Sequence, residues 1–207
     1  MPSPSPVLFN AQPGSVSTTL LQRLKHQDKR AWDELVVIAS PLVLRWCRQC
    51  GLQHADAEDL AQDVFRRVLQ GIGGFRSERP GESFRSWLRT ITFNRVRDSL
   101  RAKHRLNTGD STIQANLQQL IDGDCPVAAF DEAEERGILL RRILRFLQAE
   151  YDERAWQAFW RVTMQEEPVE RVAVELGMVP NSLYVMKSRI LHRMREYLAN
   201  WGEPELP

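Results

Sequence analysis

Cysteine is scarce in this sequence: there are three in 207 residues, an odd number that argues against a disulfide framework and for a reducing compartment. There is no apolar signal stretch at the N-terminus, and no run of the roughly 18 apolar residues that a membrane-crossing helix needs. A cytoplasmic chain without a membrane span is therefore expected. Strand signals are missing as well, because β-branched residues nowhere alternate persistently between turn residues, so the expected fold class is all-α. The four histidines, His26, His54, His104 and His192, are scattered, and none stands by an evident nucleophile. A phosphate-cradling glycine loop, a zincin signature and a Ser/His/Asp set are all absent. Neither enzymatic activity nor a cofactor is expected. Cys47 and Cys50, with His54 four residues further on, come nearest to a metal or redox motif. A structural zinc site needs four ligands and no second Cys/His pair follows, so both cysteines read as helix-packing residues and no metal is expected.

What is present is charge in unequal blocks, hidden beneath a net charge of +1. From Arg76 to Arg105 nine Lys/Arg face only Glu78, Glu82 and Asp98, a local net of plus six. Arg97, Arg101 and Arg105 stand four apart, which gathers them on one side of a helix end at the scale of a phosphate-binding footprint. From Gly109 to Glu135 there are seven acids and no Lys or Arg. From Arg171 to Arg195 five basic residues face Glu175 alone.

Periodicity places helices near Thr18 to His26, Lys29 to Ala39, Pro41 to Cys50, Asp56 to Gln70 and Ser83 to Lys103, which would form one N-terminal bundle. Asp56 and Ser83 are candidate caps for the last two. Leu60, Ala61, Val64, Phe65, Val68, Leu69 and Ile72 form a buried stripe and leave Glu58, Asp59, Gln62, Asp63, Arg66 and Gln70 outside. Leu20, Leu21, Leu24, Trp32, Leu35, Val36, Leu42, Val43 and Trp46 would complete the core. Phe93 reads as core, and Trp87 as core or as a stacking platform. Leu106 to Phe130 is turn-rich and reads as a tether. Helix returns from Asp131 to Tyr151, with Ile138, Leu139, Ile143, Leu144, Phe146 and Leu147 as its apolar face, and Asp152 can cap a helix running through Val162. The segment Pro168 to Arg189 then has helix-turn-helix spacing. Ala173 stands on the packed face of a short helix, Gly177 at the turn and Pro180 at the first position of a longer helix, with Val179 where a Ser or Thr cap is usual. Asn181, Ser182, Tyr184, Lys187, Ser188 and Arg189 would project from that helix's exposed first turns, where such motifs place base and phosphate contacts.

In this order the elements resemble the extracytoplasmic-function class of bacterial RNA polymerase sigma factors, over about Thr18 to Leu198. Asp56-Ala57-Glu58-Asp59-Leu60-Ala61-Gln62-Asp63-Val64-Phe65 looks like the region 2 helix that docks on polymerase. Ser83-Phe84-Arg85-Ser86-Trp87-Leu88-Arg89-Thr90-Ile91-Thr92-Phe93-Asn94 is similar to the helix that holds the opened minus-10 element. Leu176-Gly177-Met178 with Tyr184 to Arg189 looks like region 4, the reader of the minus-35 element.

The resemblance implies a tail over 1–17, region 2 over 18–105, an acidic linker over 106–130, region 4 over 131–199 and a tail over 200–207. It implies polymerase contacts at Glu58, Asp59, Gln62 and Asp63. Minus-10 contacts would fall at Phe75, Arg76, Arg85, Trp87, Arg89, Asn94, Arg97 and Arg101, and minus-35 contacts at Asn181, Ser182, Tyr184, Lys187, Ser188, Arg189 and Arg193. Core RNA polymerase and promoter DNA are the implied partners, with an anti-sigma factor left open. The alternatives are a helix-turn-helix regulator that binds duplex DNA without polymerase and, further off, a helical protein that sequesters a partner. The acidic helix separates the first reading from these.

Overall fold

The computed structural model describes residues 20–76, 83–106 and 131–201, and all regular structure among them is helical. The elements are α1 (Leu20–Lys25), α2 (Lys29–Gln49), α3 (His54–Gly71) with a short 3-10 turn at Ile72–Gly74, α4 (Phe84–Leu106), α5 (Glu132–Glu150), α6 (Glu153–Met164), α7 (Val169–Glu175) and α8 (Pro180–Trp201). The tail 1–17, the loop 77–82 and all of the linker beyond Leu106 lie outside the described residues.

Short polar side chains start these helices by accepting bonds from otherwise unpaired amides. Asp28 accepts from Arg30 N at 2.8 Å, Asp131 from Ala133 N at 2.9 Å and Asp152 from Ala155 N at 2.9 Å. Ser83 caps α4 as its position predicts, and it does so reciprocally: Ser86 N donates to Ser83 Oγ and Ser83 N to Ser86 Oγ. Asp56 does not cap α3, which starts two residues earlier with Gln53 at the cap and no side-chain bond. Gly51, at φ 84°, turns the chain out of α2, and Leu52 N bonds Cys47 O, so the next helix can begin at once. Asp56 instead receives Lys103 Nζ of α4 at 2.5 Å.

The two helices expected on either side of Ser40 are one, with Pro41 inside it. Proline there removes the N–H that would reach the Val37 carbonyl. Arg142 of α5 fills the gap, donating from Nε to Val37 O at 2.9 Å.

Helices α1 to α4 surround Leu35, Ile38, Leu42, Trp46, Val64, Leu88 and Val96, and the same continuous core takes in Leu139, Ile143 and Leu147 of α5 and Met194, Tyr197 and Trp201 of α8. The division at the linker is one of sequence; in space α5 packs on α2. A smaller cluster of Ala158, Val162, Val169, Val172, Ala173 and Leu183 holds α6, α7 and the start of α8 together. Helix α8 outruns the boundary expected at 199, and Trp201 is fully buried edge-on to Phe84, with ring centroids 5.1 Å apart. Val36 and Leu69, expected in the core, are exposed, because each lies at the margin of its helix's apolar stripe. Cys47 and Cys50 are buried, and burial pushes the Cys47 thiol up to about 12, as suits a packing residue.

Among the described residues three polar side chains are buried: Thr92, which bonds Leu88 O within α4, and the carboxylates Glu34 and Glu135. Both carboxylates lie between the two halves. Glu34 of α2 accepts both 3.0 Å contacts from Arg23 Nη1 and one from the Tyr197 hydroxyl of α8 at 2.9 Å. Removing that hydroxyl leaves a buried carboxylate one donor short. Tyr197→Phe is expected to lower unfolding stability by about 1–3 kcal/mol in urea titration. A protease cut within 107–130 is expected to leave two fragments that still co-elute in gel filtration, because the shared apolar core does not depend on the linker.

Candidate nucleic-acid interface

Helix α3 turns its polar side outward, and Glu58, Asp59 and Gln62 are exposed. Asp63 is half-buried: its carboxylate takes Arg95 Nη2 of α4 at 2.8 Å and also pairs with Arg66. The Arg95 hydrogen bond leads in holding the Asp63 carboxyl below its ordinary value. Asp56, Asp59, Asp63, Arg95 and Asp98 line a groove of about 340 Å³ between α3 and α4.

Helix α4 sends its arginines to three places. Arg95 bridges to Asp63 and to Asp98. Arg97 donates to the side-chain oxygen of exposed Asn94, and Arg101 is exposed one turn on. Arg85 and Arg89, near the start of the helix, turn toward α5 and are mostly buried, with 12% and 15% of their side chains exposed. There they meet Glu135, which is fully buried. Arg89 Nη2 donates to Glu135 Oε2, Arg85 Nη1 stands 3.6 Å from the same oxygen, and Trp46 Nε1 donates to Oε1 at 2.7 Å. The Arg89 guanidinium also lies over the Trp46 ring, 5.5 Å from its centroid. Beside this group Glu134 pairs with Arg45 of α2.

At the other side of α4 a cleft of about 370 Å³ is lined by Gly74, Phe75, Arg76, Ser83, Ser86, Trp87 and Thr90. Phe75 is buried, with its ring centroid 5.0 Å from that of Trp87 and 5.7 Å from that of Phe84. Trp87 closes down on Gly71, where a Cβ would meet its ring at 3.2 Å. Arg76 is exposed at the rim. The cleft thus offers an aromatic wall, two hydroxyl side chains from α4 and a cation, a combination that can hold an unstacked base.

In the C-terminal half α7 (Val169–Glu175) is followed by a turn and then α8 (Pro180–Trp201). Gly177 has φ 61°, a conformation that favours glycine, and Met178 N bonds Ala173 O at 2.8 Å to close α7. Asn181, Ser182, Tyr184, Ser188 and Arg189 are exposed on α8, and Lys187 is half-buried. The Tyr184 hydroxyl leans on Glu170 at 3.4 Å, and Asn181, Ser182 and Arg189 share a cleft of about 300 Å³ with Tyr151. Arg193 lies elsewhere, over the Tyr197 ring and 3.7 Å from Glu150. The corner before α7 is held by Arg161, which grips both oxygens of Glu167 and reaches Glu175 at 2.6 Å. The Arg161 and Arg171 guanidiniums lower the Glu167 carboxyl to about 2, so this contribution is present above the ordinary carboxylate range and lost as pH falls toward 2.

Residues 35–106, from within α2 to the last residue of α4, match the family model of sigma-70 region 2. The RNA polymerase sigma-H factor of Pseudomonas aeruginosa is 29% identical over 58% of this chain and 60% of its own length. The ECF RNA polymerase sigma factor SigE of Mycolicibacterium smegmatis is 40% identical over 37% of this chain and 28% of its own. The RNA polymerase sigma factor CnrH of Cupriavidus metallidurans is 31% identical over 36% of this chain and 37% of its own. Over these residues the chain is similar to RNA polymerase sigma factors, two of the three relatives being named ECF RNA polymerase sigma factor SigE and RNA polymerase sigma factor CnrH. It spans less than two thirds of the length of each of these relatives.

Within region 2 the structure gathers Phe75, Arg76 and Trp87 at one cleft and exposed Asn94, half-buried Arg97 and exposed Arg101 along one strip of α4. Arg85 and Arg89 are drawn away by Glu135. That residue was missed in the sequence, where it reads as the last acid of the block from Gly109 to Glu135. A signal was available: Glu135, Leu139, Ile143 and Leu147 recur every four residues, so Glu135 extends the apolar stripe of α5.

Asp63 bridges two helices, whereas Asp59 is exposed, so the two acids should separate in the test tube. Asp63→Ala is expected to destabilise the chain by about 0.5–1 kcal/mol and Asp59→Ala to leave stability within about 0.5 kcal/mol, measured by thermal unfolding. Because the folded-state carboxyl of Asp63 is lowered, its contribution is complete above the unfolded value and lost as pH falls, and the gap between the variants should close in acid.

Proposed function

We propose that this chain directs core RNA polymerase to promoters and assists in opening them. The observation that carries the reading is the region 2 match over α2 to α4, followed after the acidic linker by a second unit with a short helix, a glycine turn and a long polar-tipped helix. Exposed Glu58, Asp59 and Gln62 would dock on polymerase, with Asp63 setting the spacing of α3 from α4. The cleft at Phe75, Arg76 and Trp87, together with Asn94, Arg97 and Arg101, would capture the unpaired minus-10 strand, since unstacked bases need an aromatic surface and cationic walls. Asn181, Ser182, Tyr184, Lys187, Ser188 and Arg189 would read the minus-35 duplex through phosphate and base contacts. Arg193, turned toward Glu150, would contribute to packing. The domain division is region 2 over 18–105, a linker over 106–130 and region 4 from 131 through Trp201.

This role is regulatory and involves no catalysis by the chain itself. Its template and its polymerase lie in the cytoplasm, and among the described residues no helix is long and apolar enough to cross a membrane. An anti-sigma factor is a further partner that the reading admits. A duplex-binding regulator without polymerase would have no use for region 2, so the similarity over 35–106 favours the sigma role.

The test is reconstitution with core polymerase and run-off transcription on genomic fragments. Replacing Lys187 and Arg189 with alanine should weaken upstream duplex binding and flatten its salt dependence by about 1–2 in slope, while opening survives on a template already melted at its minus-10 element. Replacing Asn94 and Arg97 should leave closed-complex binding and remove permanganate-reactive thymines near the start site. A chain that fails to bind core polymerase, or one whose two variants show the reverse pattern, would overturn the assignment.

A further inference from the structure

We propose that the first turn of α5 is a built-in competitor for nucleic acid, in which Glu135 occupies Arg85 and Arg89 of α4 in the free chain and must leave before a DNA strand can use them. The inference rests on the reading of α4 as a DNA-binding helix. It begins with a cost: a fully buried carboxylate loses its hydration, and an apolar side chain of similar volume often packs as well or better. Leu139, Ile143 and Leu147 already occupy the following positions of the same stripe, so helix packing alone would be served by a fourth apolar residue. What the carboxylate adds is specific to arginine. Its Oε2 presents to Arg89 and Arg85 one shared anionic oxygen, the kind of acceptor that a phosphodiester oxygen would offer them. Trp46 steadies the arrangement from both directions, donating to Glu135 Oε1 and lying beneath the Arg89 guanidinium.

The competitor is held lightly enough to leave. Glu135 stands in the first turn of α5, where few backbone bonds are lost if the helix end frays. Its neighbour Glu134 is exposed and anchors the turn to Arg45, which forms a second hold on the same few residues. Leu139, Ile143 and Leu147 lie farther along and can keep the body of α5 on α2 while the first turn opens. Arg97 and Arg101 are outside the competitor's reach, which leaves the free chain a weak grip on DNA that strengthens when the turn is released.

Full-length wild type, Glu135→Gln and Glu134→Gln are titrated against a fluorescent single-stranded DNA of mixed sequence, by anisotropy at several salt concentrations. Glutamine at 135 keeps the volume and can still accept from Trp46, and Glu134→Gln loosens the turn from the exposed side without touching α4. Glu135→Gln is expected to tighten binding about tenfold at low salt and to steepen the salt dependence by up to about 1.4 in slope, as two phosphates gain arginine partners. Glu134→Gln should act in the same direction by about two- to threefold, and Arg89→Ala added to Glu135→Gln should remove most of the gain. If binding depends on Arg97 and Arg101 but is unchanged by both glutamine variants in affinity and slope, the competitor is overturned and the DNA-binding reading stands. If no variant binds DNA and none is shifted by Arg97→Ala or Arg101→Ala, the reading of α4 falls, and the competitor falls with it.

Discussion

The hydrogen bond from Trp46 Nε1 to the buried carboxylate of Glu135 joins two segments 89 residues apart in sequence, and much of the arrangement around it follows from that one bond. Trp46 is fully buried in α2, the helix on which α1, α3, α4 and α5 all pack. Its indole needs an acceptor in that setting, because a buried N–H without one forfeits its hydration. Supplying the acceptor as a carboxylate obliges cations to come too, and α4 provides them. The start of α4 is thereby fixed against both α2 and α5, while the rest of α4 answers to α3 through Asp63 and Asp56. One helix carries a structural charge set, a bridging set and an exposed set, in that order of depth.

This division explains why counting arginines from Arg76 to Arg105 finds a basic segment but does not rank its members. Net charge is a property of composition, and it is blind to which guanidiniums are spent inside the protein. The same holds for the acids: Asp59 and Asp63 are four residues apart on one helix and line one groove, yet it is the second whose carboxylate takes Arg95 of the neighbouring helix. Local rules that depend on the immediate chain fare better. The caps at Ser83 and Asp152, the turn at Gly177 and the start at Pro180 were all legible, because each is decided within a few residues, although the same rule misplaced the start of α3 at Asp56. So were the all-α class and the apolar stripe of α5.

What was not legible depends on partners distant in sequence. Pro41 reads as a break, and nothing nearby reveals that Arg142 will satisfy the carbonyl it exposes. Trp201 reads as part of a tail, and only Phe84 of α4 makes it core. Glu34 and Glu135 are acids, a residue type that usually stands at the surface, and neither was singled out. Both lie on the buried stripe of their own helix, and that conflict between residue type and helical phase was the available sign that each had a specific companion.

Pro41 also settles a question of register. The apolar contacts of α5 repeat every four residues at Leu139, Ile143 and Leu147, so the helix could slide one turn along α2 and present much the same surface. The open carbonyl of Val37 removes that degeneracy, since it accepts from Arg142 and a slide of four residues would set Ile138 or Phe146 against it. An interruption in one helix thereby becomes a fiducial mark for another, two turns along from the Trp46–Glu135 bond, and the two marks together hold α5 at a single position.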